Sequence, residues 1–174
     1  MSVRCFLGHG ASGTAASMAP FVAGLRARGI DAVAIDLPRR KAEDAVPALH
    51  AVVPSAADVA LGGHSYGGRV ASLVAAEPDA PYAGLVLFSY PLHPPGSPDR
   101  TDARISHWPA IHCPVLLLSG ESDPFARIDL LRAAVDRLDN AELVTYPRLG
   151  HTLKPVLDDA LDRVAAFLLG LSTG

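Results

Sequence analysis

At 174 residues the chain is long enough for one domain with a sizeable core, and a composition of 49% hydrophobic and 19% charged residues excludes a disordered segment. A formal net charge of −3 without any basic run argues against a nucleic-acid partner, and no apolar run is long enough to span a membrane. Cys5 and Cys113 make neither a disulfide framework nor a metal-ligand spacing; with no signal-length apolar region at the N-terminus, they are expected as buried free thiols of a soluble, cytoplasmic protein.

In chain order, Cys5-Phe6-Leu7 is a short apolar run that ends in Gly8-His9-Gly10-Ala11-Ser12-Gly13. Met18, Phe21, Val22 and Leu25 follow at i, i+3, i+4 and i+7, one face of a helix closed by Gly29. Residues 32–36 read as a second buried strand stopped by Pro38, and residues 41–53 as a helix that starts late or kinks at Pro47. Val59, Ala60 and Leu61 form a third strand. It runs into Gly62-Gly63-His64-Ser65-Tyr66-Gly67-Gly68 and at once into a helical pattern ended by Pro78. Residues 84–89 are a fourth strand. Residues 90–107 are proline-rich and too long for a plain connection, which leaves two readings: an irregular crossover with a short helix before Trp108, or a loop that shapes a substrate site. Residues 114–119 are a fifth strand, 126–138 an amphipathic helix, 142–146 a sixth strand and 155–169 a closing helix.

Six alternations of strand and helix, with no repeat, low-complexity tract or linker, predict a single domain over residues 1–174: a doubly wound, all-parallel six-stranded sheet. Sites in such sheets lie outside the carboxyl ends of the strands, where the strand order reverses. The loops after strands one, three, five and six therefore share one rim.

That rim carries a reactive constellation. Gly63-His64-Ser65-Tyr66-Gly67 fits G-x-S-x-G between a strand and a helix. A tight turn there lifts a serine hydroxyl above the sheet edge, and small neighbours let strand and helix backbones pass closely. After strand five, Gly120-Glu121-Ser122-Asp123-Pro124 offers a carboxylate; after strand six, Leu149-Gly150-His151 offers an imidazole. The expected roles are Ser65 as nucleophile, His151 as its base and Asp123 as the acid that orients the imidazole. Asp123 is preferred over Glu121 because Pro124 stiffens its turn. Backbone N–H groups of Tyr66 and Ala11 are expected to form an oxyanion hole, with His9-Gly10-Ala11 matching an H-G-x pattern. His9, Tyr90 and His93 are candidate pocket residues. His9 and His64 read equally as loop-orienting groups, and His50, His107 and His112 carry no role. Arg69, Arg127 and Arg148 lie near the rim, where they read as solvated charge or as a greeting for an anionic substrate.

At His9-Gly10-Ala11, GHSYGGR over 63–69, YPLHPPG over 90–96 and Asp123-Pro124-Phe125, the chain resembles the α/β-hydrolase superfamily over essentially its whole length. More closely it is similar to the small dienelactone-hydrolase-like proteins, a group that includes testis-expressed hydrolase-like proteins and a hydrolase-like subunit of the nonspecific-lethal chromatin complex. The resemblance implies a minimal six-stranded core without an N-terminal antiparallel hairpin or a large cap. Dienelactone hydrolases themselves carry cysteine at the elbow, whereas this chain has Ser65. The expected activity is that of a serine hydrolase cleaving short-acyl carboxylic esters through an acyl-enzyme, with a small-molecule ester as partner and no cofactor or metal. The alternatives are a binding or scaffold module with a vestigial site, or the same triad acting on a thioester or amide.

Overall fold

The computed structural model describes residues 2–172. Six short strands alternate with helices: β1 (Arg4–Gly8), α1 (Ala19–Arg26), β2 (Asp31–Ile35), α2 (Ala42–His50), β3 (Val59–His64), α3 (Tyr66–Ala75), β4 (Gly84–Phe88), α4 (Thr101–Ile105), β5 (Val115–Gly120), α5 (Ile128–Val135), β6 (Ala141–Tyr146) and α6 (Leu157–Leu171). All pairings are parallel, in the order β2-β1-β3-β4-β5-β6. The chain thus runs outward from β1 to β2, crosses back to β3 and proceeds the other way. The reversal opens a crevice between β1 and β3, the usual place for a site in such sheets.

The side-chain alternation of the strands builds two apolar layers. Phe6, Leu61, Leu85, Leu87, Val115 and Leu117 face α2, α3 and α5, where they meet Leu49, Val70, Val74 and Leu131. Cys5, Leu7, Ala60, Val86, Phe88 and Leu116 face the opposite way, onto Phe21 and Leu25 of α1 and Leu161, Val164 and Leu168 of α6. Both faces of the central strands are buried, which is why they read as continuous apolar runs rather than alternating ones. Cys5 is fully buried, and burial pushes its thiol up to about 12; Cys113 is half-buried, and both are free.

Three local expectations shift. Helix α2 begins at Ala42, ahead of Pro47, and runs through it without a late start; the proline sits in the second turn, where it forfeits a single intrahelical hydrogen bond. Helix α5 begins at Ile128 rather than 126, because Asp123 to Ala126 are held in a turn by the Phe125 and Ala126 N–H groups. The stretch from 90 to 110 holds two short 3-10 turns (Pro98–Arg100 and Trp108–Ala110) around α4, packed down by the buried Tyr90, Leu92, Ile105 and Trp108. Among the described residues, no helix is long and apolar enough to cross a membrane.

Candidate active site

Ser65 links the end of β3 to the start of α3 with φ 51° and ψ −113°, a left-handed conformation that a residue with a Cβ rarely adopts. Three backbone hydrogen bonds hold it there: Ser65 N–H donates to Phe88 O at 2.8 Å, Gly67 N–H to His9 O at 2.9 Å, and Arg69 N–H to Ser65 O at 3.0 Å. Gly67 is required by proximity, since a Cβ there would fall 2.3 Å from the carbonyl carbon of Gly8. The backbones of β1 and α3 touch, which brings the loop after β1 beside Ser65.

From Ser65 a hydrogen-bond chain runs inward. Ser65 Oγ lies 2.9 Å from His151 Nε2, and His151 Nδ1 lies 2.8 Å from Asp123 Oδ2. Asp123 is acceptor-only as a carboxylate, so the neutral imidazole donates from Nδ1 and accepts the serine proton at Nε2. The Asp123 side chain is 0% exposed and that of His151 is 25% exposed. The other carboxylate oxygen, Oδ1, accepts the Phe125 N–H at 2.8 Å, which fixes the rotamer of Asp123. His151 is held from three sides: by Asp123, by the Phe125 ring at 4.4 Å between centroids, and by His64 Nε2–H, which donates to its carbonyl at 3.3 Å. Burial lowers the pKa of His64, keeping it neutral beside His151.

The loops bearing Asp123 and His151 meet at Gly120. A Cβ on Gly120 would lie 2.2 Å from Leu149 O and 2.4 Å from Gly150 O. Only glycine permits that approach, which Ser122 N–H reinforces by donating to Leu149 O at 2.9 Å. Glu121, the other carboxylate of this loop, turns away and accepts from Thr145 Oγ1 at 2.8 Å and Arg132 Nη2 at 3.1 Å.

Ala11 and Tyr66 border the same open depression as Ser65, about 780 Å³ in volume, with Pro91 and Phe125 among its other walls. Tyr66 is the first residue of α3, so its N–H has no intrahelical acceptor, and the helix dipole adds positive potential at that end.

The three pocket candidates do not line this depression. His9, Tyr90 and His93 are buried, at 1%, 1% and 3% exposed. His9 Nε2 accepts the Leu37 N–H at 2.9 Å, so Nδ1 carries the proton and donates to Gly10 O at 2.7 Å. His93 repeats the arrangement: Nε2 accepts from Arg127 N–H at 3.0 Å and Nδ1 donates to Pro94 O at 2.8 Å. Each imidazole therefore ties two rim loops together, one on either side of Ser65. Tyr90 is turned inward, its hydroxyl donating to Arg104 O at 2.7 Å. No local pattern in the sequence marks Phe125, beyond its place after Asp123-Pro124, or Arg40, Lys41, Arg100 and Arg104 as neighbours on the depression. Among the described residues, no group of three or more His, Cys, Asp or Glu side chains is placed to hold a metal ion.

A parallel sheet with a strained serine turn at its switch point defines a class of architecture, and the comparisons name it. The chain belongs to the α/β-hydrolase domain family, whose pattern it matches over residues 2–166. No curated protein matches it. Among solved structures it is similar to a Paleococcus ferrophilus monoacylglycerol lipase, with a TM-score of 0.80 at 14% identity over 98% of this chain and 97% of the other. It is also similar to Est1E from Butyrivibrio proteoclasticus, solved with ferulic acid bound (TM-score 0.81, 16% identity, 99% and 90% covered). A third likeness is to Thermogutta terrifontis esterase 2 phosphonylated by sarin (TM-score 0.77, 16% identity, 98% and 84% covered). At these identities the likeness is one of fold.

Proposed function

We propose that the protein is a serine hydrolase that cleaves carboxylic esters through an acyl-enzyme, with Ser65 as nucleophile, His151 as general base and acid, and Asp123 as the orienting carboxylate. The observation that carries this reading is the unbroken chain Ser65 Oγ, His151 Nε2, His151 Nδ1, Asp123 Oδ2, at 2.9 and 2.8 Å. In the first step Ser65 Oγ bonds to the ester carbonyl carbon and its proton passes to His151 Nε2. The carbonyl oxygen becomes an oxyanion, met by the N–H groups of Tyr66 and Ala11. Collapse breaks the bond to the alcohol, which leaves with the proton from His151. Water then attacks the acyl-serine with His151 again as base, releasing the acid and restoring Ser65.

The depression is open to solvent, so a long alkyl chain laid in it would stay partly in water, which favours short acyl groups. No cofactor takes part in these steps. The test is covalent labelling by a fluorophosphonate, followed by a panel of acyl esters of graded length. One of the similar structures is an esterase phosphonylated by sarin, and the same chemistry at Ser65 is expected here. Labelling that disappears in Ser65→Ala, with Ser65→Ala hydrolysis lower by about 10⁶-fold, supports the reading. No label on the wild type, or a label elsewhere, overturns it.

A further inference from the structure

The depression carries a charge pattern that ester hydrolysis alone does not need. Arg40, Lys41, Arg69, Arg100 and Arg104 line it, against one carboxylate, Glu43. They come from three separate segments: the connection between β2 and α2, the first turn of α3, and the long crossover before β5. Several arginines elsewhere on the molecule are neutralised. Arg28, Arg127, Arg132, Arg137 and Arg163 each lie within 3.1 Å of an aspartate or glutamate oxygen. Arg40, Lys41, Arg100 and Arg104 form no ion pair among the described residues; Arg26, Arg39, Arg148 and Lys154 form none either, but they do not line the depression, so half of the unpaired cations gather at this one wall on a chain whose net charge is −3.

Two of these cations are also partly desolvated. The Arg69 side chain is 15% exposed; its Nη2 pairs with Glu43, while its buried Nε has no hydrogen-bond partner. Arg104 Nη1 donates to Pro91 O at 3.0 Å, which holds the guanidinium at the rim. Burial, and then the charge of Arg69, lower the pKa of Arg104. The same two influences push the neighbouring His107 down to about 4. The cations feel one another, and Glu43 is the one carboxylate on the lining that opposes them. Arg69 stands four residues beyond Ser65, one helical turn or about 6 Å along the axis, so a group held by this wall lies only a few bonds from a carbonyl at Ser65.

We infer that this wall recognises an oxyanion on the substrate: the enzyme acts on esters that carry a carboxylate or phosphate a few bonds from the scissile carbonyl. Planar guanidinium forks match both groups. The inference rests on the esterase reading above and narrows its substrate class.

Matched pairs of esters test it. Monomethyl glutarate is compared with dimethyl glutarate for an acyl-side anion, and 3-acetoxypropanoate with 3-acetoxypropanamide for an alcohol-side one. Acetoxyethyl phosphate reports whether phosphate serves better than carboxylate. In at least one pair the anion is expected to raise kcat/KM about tenfold, an advantage that shrinks with added sodium chloride. Arg104→Gln should lower the anionic-to-neutral ratio about tenfold, and Arg100→Gln moves it the same way should the first variant fail to fold. Glu43→Gln, which removes the lone acid, should raise the ratio, whereas Arg163→Gln on α6 leaves it unchanged. A ratio of one or less in every pair, or a ratio that neither arginine variant lowers, overturns the inference. If Ser65 takes the fluorophosphonate and neutral and anionic esters are cleaved equally, the anion site alone falls. If there is neither label nor turnover, the esterase reading falls and this inference with it.

Discussion

Glu121 and Thr145 are joined by a 2.8 Å hydrogen bond that turns the first carboxylate of the β5 loop away from His151. Arg132 holds the same Glu121 oxygen at 3.1 Å. Asp123, two residues on, faces His151 with a fully buried side chain. Asp123→Asn should therefore cost on the order of 10⁴ in kcat, because an amide can no longer enforce the Nδ1–H tautomer or face the imidazolium with charge. Glu121→Gln should cost less than about tenfold. Steady-state hydrolysis of a chromogenic ester by the two variants checks the order; a larger loss in Glu121→Gln would refute the assignment of the acid.

The backbone of Ser65, at φ 51° and ψ −113°, is strained for any residue with a Cβ. Ser65→Ala keeps that strain and Ser65→Gly releases it. Both variants should lose hydrolysis. Ser65→Gly should be the more stable by about 1–3 kcal/mol, seen as a higher urea midpoint with an unchanged slope. Equal midpoints would mean that the elbow stores no strain.

Gly120→Ala would place a methyl group 2.2 Å from Leu149 O, a backbone atom that cannot step aside alone. The loops carrying Asp123 and His151 must then part. The expected result is a loss of kcat by 10²-fold or more, roughly the effect of a 1 Å misplacement, together with a lower thermal midpoint. Wild-type kcat in a folded Gly120→Ala protein would show that the approach is not needed for activity.

His107 donates from Nε2–H to Ser72 Oγ at 2.8 Å while that hydroxyl donates to Arg69 O, and burial holds its pKa at about 4. In the unfolded chain a histidine titrates near ~6.5. Between these values the unfolded state binds the extra proton, so stability is complete above ~6.5 and falls as the pH drops towards about 4. His64, lowered by burial, adds in the same direction. Because His107 is only half-buried, water screens part of the effect and the slope stays below that of one proton. Urea midpoints from pH 7 to 4 should fall less steeply in His107→Gln than in the wild type. Parallel curves would count against His107 as a contributor.

What was legible in the sequence is what lies close together along the chain. The six strands show as apolar runs because the central strands are buried on both faces, and Gly63 to Gly67 is a contiguous strand-turn-helix pattern. Ser65, Asp123 and His151 could be picked out because each lies in the loop that leaves the carboxyl end of a strand, and a parallel sheet puts every such loop on one rim.

Side-chain direction was decided only by the fold. Between two carboxylates two residues apart the sequence favours Asp123 only through the stiffness that Pro124 lends its turn; Thr145 on β6 and Arg132 on α5 are what turn Glu121 outward. His9 and His93 were natural pocket candidates by position. Each instead points inward to a backbone N–H 28 or 34 residues away, because a buried imidazole must satisfy both ring nitrogens. The basic wall is assembled from residues between 40 and 104 that no local pattern connects. Strand and helix identity follow from neighbours in the chain, whereas the partners of a polar side chain are set by whichever distant backbone packs against it.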